Sequence, residues 1–127
     1  MPAPTEPIVE LKSVAYRWPG PRSFSLKIRE LTLRRQEKVL LVGPSGSGKS
    51  TLLSLLCGIV VADDGQIRIL GEDLSALTRS QRDRFRSDHF GIIFQMFNLL
   101  PYGSVLDNVM LPLNFSHERR NRAQAED

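Results

Sequence analysis

Gly43-Pro44-Ser45-Gly46-Ser47-Gly48-Lys49-Ser50-Thr51 fits the spacing G-x-x-x-x-G-K-[ST], and its flanks decide how it is read. An apolar run, Val39 to Val42, leads into it, and a helical apolar run, Leu52 to Leu56, follows at once. Strand, glycine-rich loop and helix in that order make a phosphate-binding loop. Glycines let successive backbone N–H groups turn inward around a polyphosphate without Cβ clashes. The helix that follows starts with unpaired N–H groups and the positive end of its dipole aimed at the same anion. Lys49 then sets an ammonium on the outer phosphates, and the Ser50 hydroxyl is placed to ligate a Mg²⁺ ion bridging them.

Upstream of the loop the pattern is that of strands. Ile8 to Val14 is apolar with polar interruptions, Pro19-Gly20-Pro21 marks a turn, and Phe24 to Ile28 alternates with period two. A second alternating piece, Leu31-Thr32-Leu33, precedes the buried-looking strand Lys38 to Val42. Downstream, the helix from about Ser50 should stop near Gly58, and Gln66 to Leu70 reads as a strand ended by Gly71. Asp63 and Asp64 resemble the acid that closes a Mg²⁺ site. A helix rising about 1.5 Å per residue away from the phosphates places them instead at the far end of the domain, with Asp64-Gly65 as a turn.

Thr78 to Gln81 reads as a capping box opening a short helix through Phe85, and Phe90 to Phe94 as a compact strand closed by Gln95. Ser104 to Asp107 caps a further helix limited by Pro112, and the chain from Ser116 is a surface helix or a frayed end.

A chain of 127 residues with 41% apolar content is one domain or part of one. Its most continuous apolar stretch, Leu52 to Ala62, is broken by Ser54 and Gly58 and falls short of the ~20 residues that cross a bilayer. Residues Met1 to Pro7 lack the basic and apolar regions of a secretory signal, and the one cysteine, Cys57, sits among leucines. Both point to the cytoplasm. The net charge of +3 is carried by arginines at Arg34-Arg35, Arg79 to Arg86 and Arg119 to Arg122. Asp83, Asp88, Glu118 and Glu126 interleave with them and no aromatic ladder accompanies them, which argues for a solvated surface over a nucleic-acid face.

The order of phosphate loop, Phe94-Gln95, apolar loop Met96-Phe97-Asn98-Leu99-Leu100-Pro101 and a helix containing Asp107-Asn108-Val109 closely resembles the ATP-binding subunits of ABC transporters. The resemblance covers about residues 8–115. The runs His89 to Gln95 and Asn98 to Pro101 look most like the branch serving lipoprotein release and macrolide or peptide efflux. It implies an α/β fold: a partial P-loop NTPase core behind an antiparallel β layer. Residues 1–42 form the β layer and loop strand, 43–95 the loop, helix and strand up to the glutamine, and 96–127 the start of a helical subdomain.

The resemblance also implies roles. ATP and Mg²⁺ are the cofactors, held by residues Gly43 to Thr51 and by Gln95, whose side-chain carbonyl reaches Mg²⁺ and the attacking water. Trp18 matches the place of an aromatic that stacks on adenine, with Tyr16 competing for that role. Met96, Phe97, Leu99 and Leu100 face a cytoplasmic helix of a membrane permease subunit. A second ATP-binding subunit pairs head to tail, and the whole is peripheral on the cytoplasmic face of the membrane.

The second acidic motif with its catalytic glutamate, a Leu-Ser-Gly-Gly-Gln-type signature and a switch histidine have no counterpart before Asp127. The expectation is an N-terminal portion of a longer subunit that keeps half of a nucleotide site, binds ATP weakly, does not turn it over and exposes sheet edges. Two other functions use the same loop. One is a soluble ABC-type ATPase acting on nucleic acid or ribosomes. The other is a small-molecule kinase with Arg79 to Arg86 as its lid, for which a β layer of about 40 residues ahead of the loop is unexpected.

Overall fold

The computed structural model describes residues 6–21, 24–93 and 99–125. The chain divides into two compact units, Met1–Arg82 and Asp83–Asp127.

In the first unit, β1 (Pro7–Arg17) and β2 (Ser25–Arg34) pair antiparallel, with Leu11 opposite Leu31 and Tyr16 opposite Leu26. The two alternating pieces of sequence before the loop are thus one ten-residue strand. After the phosphate loop comes α1 (Lys49–Leu56), then β3 (Asp64–Ile69), which returns to pair antiparallel with β1. A turn at Leu70-Gly71 leads to the two-residue β4 (Glu72–Asp73), and the sheet order is β2-β1-β3-β4. A single 3-10 turn, Leu74–Ala76, follows. The buried apolar side chains are Leu11, Val14 and Tyr16 from β1, Ile67 and Ile69 from β3, Leu55 from α1, and Leu74.

A bulge explains why the buried positions of β1 change phase from Leu11 to Val14. Lys12 pairs with Gln66 but Ala15 pairs with Asp64, so β1 spends one residue more than β3 across this step. Ser13 takes φ 51° there, and Gly65 opposite it takes φ 87°. A Cβ on Gly65 would lie 2.2 Å from the Ser13 carbonyl oxygen. Asp64-Gly65 is therefore not a turn ahead of the strand but its first two residues, made irregular by the crossing of β1.

The expected strand Lys38 to Val42 is not a strand. Residues 37–44 carry no regular hydrogen bonding, and Leu40 and Val42 are 85% and 80% exposed. A strand exists only with a neighbour, and none of the four described strands runs beside this segment. The expected strand from Phe90 is likewise absent: residues 90–93 carry no regular structure, the Phe90 amide closes the end of the preceding helix on the Arg86 carbonyl at 3.0 Å, and Phe94 lies outside the described residues.

α2 (Arg79–His89) begins with the expected capping box: the Thr78 amide donates to Gln81 Oε1 at 2.8 Å and the Gln81 amide to Thr78 Oγ1 at 3.3 Å. It runs a turn beyond Phe85, and the boundary between the units falls within it. In the second unit, α3 (Val105–Phe115) opens with a full capping box between Ser104 and Asp107. Pro112 sits inside α3 rather than ending it: its fixed φ is helical, and the helix continues to Phe115 despite the lost amide bond and the crowding of the Asn108 carbonyl by the ring. Ser116 is 1% exposed; its Oγ donates to Asp88 Oδ1 at 2.6 Å and accepts from the Arg119 amide at 3.2 Å. That side chain caps α4 (His117–Ala125), so the polar tail is a helix.

Candidate nucleotide site

Residues Ser45 to Thr51 line an open pocket of about 540 Å³ together with Trp18 and Phe24. The loop turns at its start, where the Ser47 amide donates to the Pro44 carbonyl at 3.2 Å. Gly48 is the N-cap of α1 at φ 100°, and no side chain caps the helix. The first helical amide bond runs from Leu52 to the Gly48 carbonyl at 2.9 Å. The amides at 49–51, which precede any intrahelical partner, therefore belong to a helix start bordering the pocket. No acidic side chain occupies the first turn, so the positive end of the helix dipole is not offset.

Gly48 is required twice over. Its φ lies in the left-handed region, and a Cβ there would lie 2.9 Å from the Phe24 ring and 3.0 Å from Leu26. The β1–β2 hairpin thus presses on the loop backbone. Phe24 is a pocket residue that the sequence reading missed, since its period-two pattern marked it only as the start of a strand.

Lys49 folds back over the loop, donating to the carbonyls of Gly43 and, at 3.0 Å, Pro44. Gly43 and Pro44 thereby hold the ammonium but do not line the pocket. Ser50 and Thr51 both line it.

Of the two aromatic candidates, Tyr16 is a 9% exposed core residue, whereas Trp18 is 38% exposed and borders the pocket. The Trp18 indole packs edge-on against the Tyr16 ring, with centroids 5.2 Å apart. Its Nε1 donates to Thr51 Oγ1 at 2.8 Å, and its backbone amide to the Phe24 carbonyl at 3.0 Å.

Asp63 is fixed by β1: its carboxylate accepts from the Arg17 amide at 2.7 Å and its own amide donates to the Ala15 carbonyl at 2.8 Å. It therefore lies beside the residue preceding Trp18 and does not line the pocket. Among the described residues there is no group of three or more His, Cys, Asp or Glu side chains that fits a metal ion. The Ser50 hydroxyl, which lines the pocket, is an oxygen donor of the kind that would suit Mg²⁺.

Gln95, Met96 and Phe97 lie outside the described residues. Leu99 is 65% exposed and Leu100 half-buried; both belong to the second unit. That unit has its own open groove of about 980 Å³, bordered among others by Phe90, Ile92, Leu111, Phe115 and Arg119, to which neither leucine contributes.

A family model described as ABC transporter matches residues 26–127. The macrolide export ATP-binding/permease protein MacB of Rhodopirellula baltica is 44% identical over 99 residues, which is 78% of this chain and 14% of that protein. The lipoprotein-releasing system ATP-binding protein LolD 2 of Rhodospirillum rubrum is 37% identical over 124 residues, 96% of this chain and 54% of that protein. Among solved structures, the dimeric post-hydrolysis state of the ATP-binding cassette MJ0796 bound to ADP and Pi matches with a TM-score of 0.79 at 35% identity, covering 92% of this chain and 54% of that one. The chain spans about half the length of LolD 2 and of MJ0796. With its phosphate loop, antiparallel layer and helices matched in sequence and in fold, the chain belongs to the ABC transporter family and lies within the ATP-binding domain.

Proposed function

We propose that this chain binds Mg²⁺-ATP in the pocket between Trp18 and the phosphate loop and forms part of a subunit that powers transport through a membrane permease. The observation that carries this reading is the contiguity of the pocket: Trp18, the loop residues Ser45 to Gly48 and the uncapped start of α1 all line one open cavity. Adenine lies on Trp18, whose flat ring asks little of the base in hydrogen bonds. The triphosphate lies over the amides of the loop and of the first turn of α1. Lys49 exchanges the carbonyls of Gly43 and Pro44 for the outer phosphate oxygens, and Ser50 holds Mg²⁺, which neutralises phosphate charge. Gln95 completes the metal and water side of the site.

The permease and the second ATP-binding subunit enter from the relatives. MacB is named as an ATP-binding/permease protein, and the MJ0796 cassette is dimeric in its solved structure. Met96, Phe97, Leu99 and Leu100 supply the apolar contact for a permease helix, and the exposure of Leu99 supports that role. The subunit sits on the cytoplasmic face of the membrane; no described helix is long and apolar enough to cross one. Neither the nucleic-acid nor the kinase reading gains support from these relatives.

Calorimetric titration of the chain with Mg²⁺-ATP tests the binding. Lys49→Ala is expected to weaken it by at least about tenfold, the worth of a charge-assisted contact. Equal affinity in the variant overturns the phosphate contact. For the partner, Leu99→Asp is expected to reduce co-purification with the permease, and unchanged recovery overturns that surface.

A further inference from the structure

We propose that Thr51 is the positioning residue of the base platform: its hydroxyl holds the Trp18 indole in the orientation that receives a nucleobase and so ties the base side of the pocket to its phosphate side. This rests on the nucleotide reading above. The spacing motif assigns a residue at this position only to the loop. The geometry adds a second task, because Thr51 Oγ1 is the acceptor for Trp18 Nε1 at 2.8 Å across a gap of 33 residues in sequence. Thr51 is 6% exposed, so its own rotamer is held by the packing around it. Trp18 is far less enclosed, and burial alone does not fix its ring. Three contacts do: the backbone bond to Phe24, the edge of the Tyr16 ring, and Thr51. The first leaves χ1 and χ2 free and the second is apolar and non-directional by comparison; only the third sets which way the indole faces. A hydroxyl that accepts from an indole N–H keeps one proton to donate, so the clamp does not exclude a further contact. A platform oriented before the base arrives spares the entropy of ordering it on binding.

Trp18 is the only tryptophan of the chain, so its emission reports the clamp directly. Thr51→Val keeps the branched shape and removes the acceptor; Thr51→Ser keeps the acceptor. In ligand-free protein, Thr51→Val is expected to lower emission anisotropy and red-shift the spectrum, and Thr51→Ser to restore both. The ratio of ATP affinity to tripolyphosphate affinity is expected to fall about fivefold in Thr51→Val and to recover in Thr51→Ser. Trp18→Phe removes the donor from the other side. It should lower the same ratio, and Thr51→Val added to it should cost less than it does alone. Unchanged emission with an unchanged ratio overturns the proposal. So does equal weakening for ATP and tripolyphosphate, which would make the hydroxyl a phosphate ligand only. A wild-type chain that binds neither ligand overturns the nucleotide reading itself.

Discussion

Asn108 holds Leu100 by both polar groups of its backbone. Its Oδ1 accepts from the Leu100 amide at 2.7 Å, and its Nδ2 donates to the Leu100 carbonyl at 3.3 Å and to the Ser104 carbonyl at 2.9 Å. One side chain from α3 thus shapes the turn that precedes it, where the Gly103 amide also returns to the Leu100 carbonyl.

Asn108→Ala is expected to cost the second unit about 1–3 kcal/mol, because partly buried partners lose their bonds with no water-free replacement. Hydrogen exchange checks it: the Leu100 amide should exchange faster, with little change in the amides of β1 and β3.

The start of α3 should be sensitive to acid. Hydrogen bonds from the Ser104 side chain, then from its backbone, hold the Asp107 carboxyl below the ordinary carboxylate value. A group whose folded pKa is lowered contributes stability above its unfolded value of about 3.9 and loses it as pH falls through the folded value. Asp73 acts in the same direction, chiefly through the Ser75 side chain and with a further hydrogen bond from Gln66. Helical ellipticity should therefore hold down to about pH 4 and decline below it. Asp107→Asn should be less helical at neutral pH and flatter in that acid limb.

Gly65→Ala is expected to be among the most damaging single changes, at about 3 kcal/mol or more, from left-handed strain together with a clash against Ser13. Denaturant unfolding should show it. Gly91→Ala, where an added Cβ meets nothing, serves as the control and should stay within about 0.5 kcal/mol.

Trp18→Ala should weaken ATP by about tenfold, in the range of a lost base–aromatic stack. GTP should weaken to a similar degree, since stacking reads a purine face rather than its edge. Competition with a fluorescent ATP analogue measures both.

What the sequence disclosed divides by range. Both capping boxes, Thr78 with Gln81 and Ser104 with Asp107, were legible because donor and acceptor lie three residues apart. The loop and the start of α1 were legible for the same local reason. Strand pairing is not local: Lys38 to Val42 has the composition of a buried strand and no partner in the described sheet. Asp64-Gly65 has the composition of a turn, and only the register with β1 makes it a bulged strand start. The burial of Tyr16 likewise depends on that bulge, since the one-residue insertion near Ser13 turns its side chain into the core. Phe24 was invisible as a pocket residue, because its approach to Gly48 joins segments that no short-range pattern relates.

The contact between the Phe24 ring and the Gly48 backbone also offers a spectroscopic handle. A fluorine substituted at the tip of that ring would lie against the turn that opens α1 without altering any residue from 43 to 51. Its resonance would register the geometry of the loop from the hairpin side, so changes in loop shape become readable in solution by a probe carried on a different element.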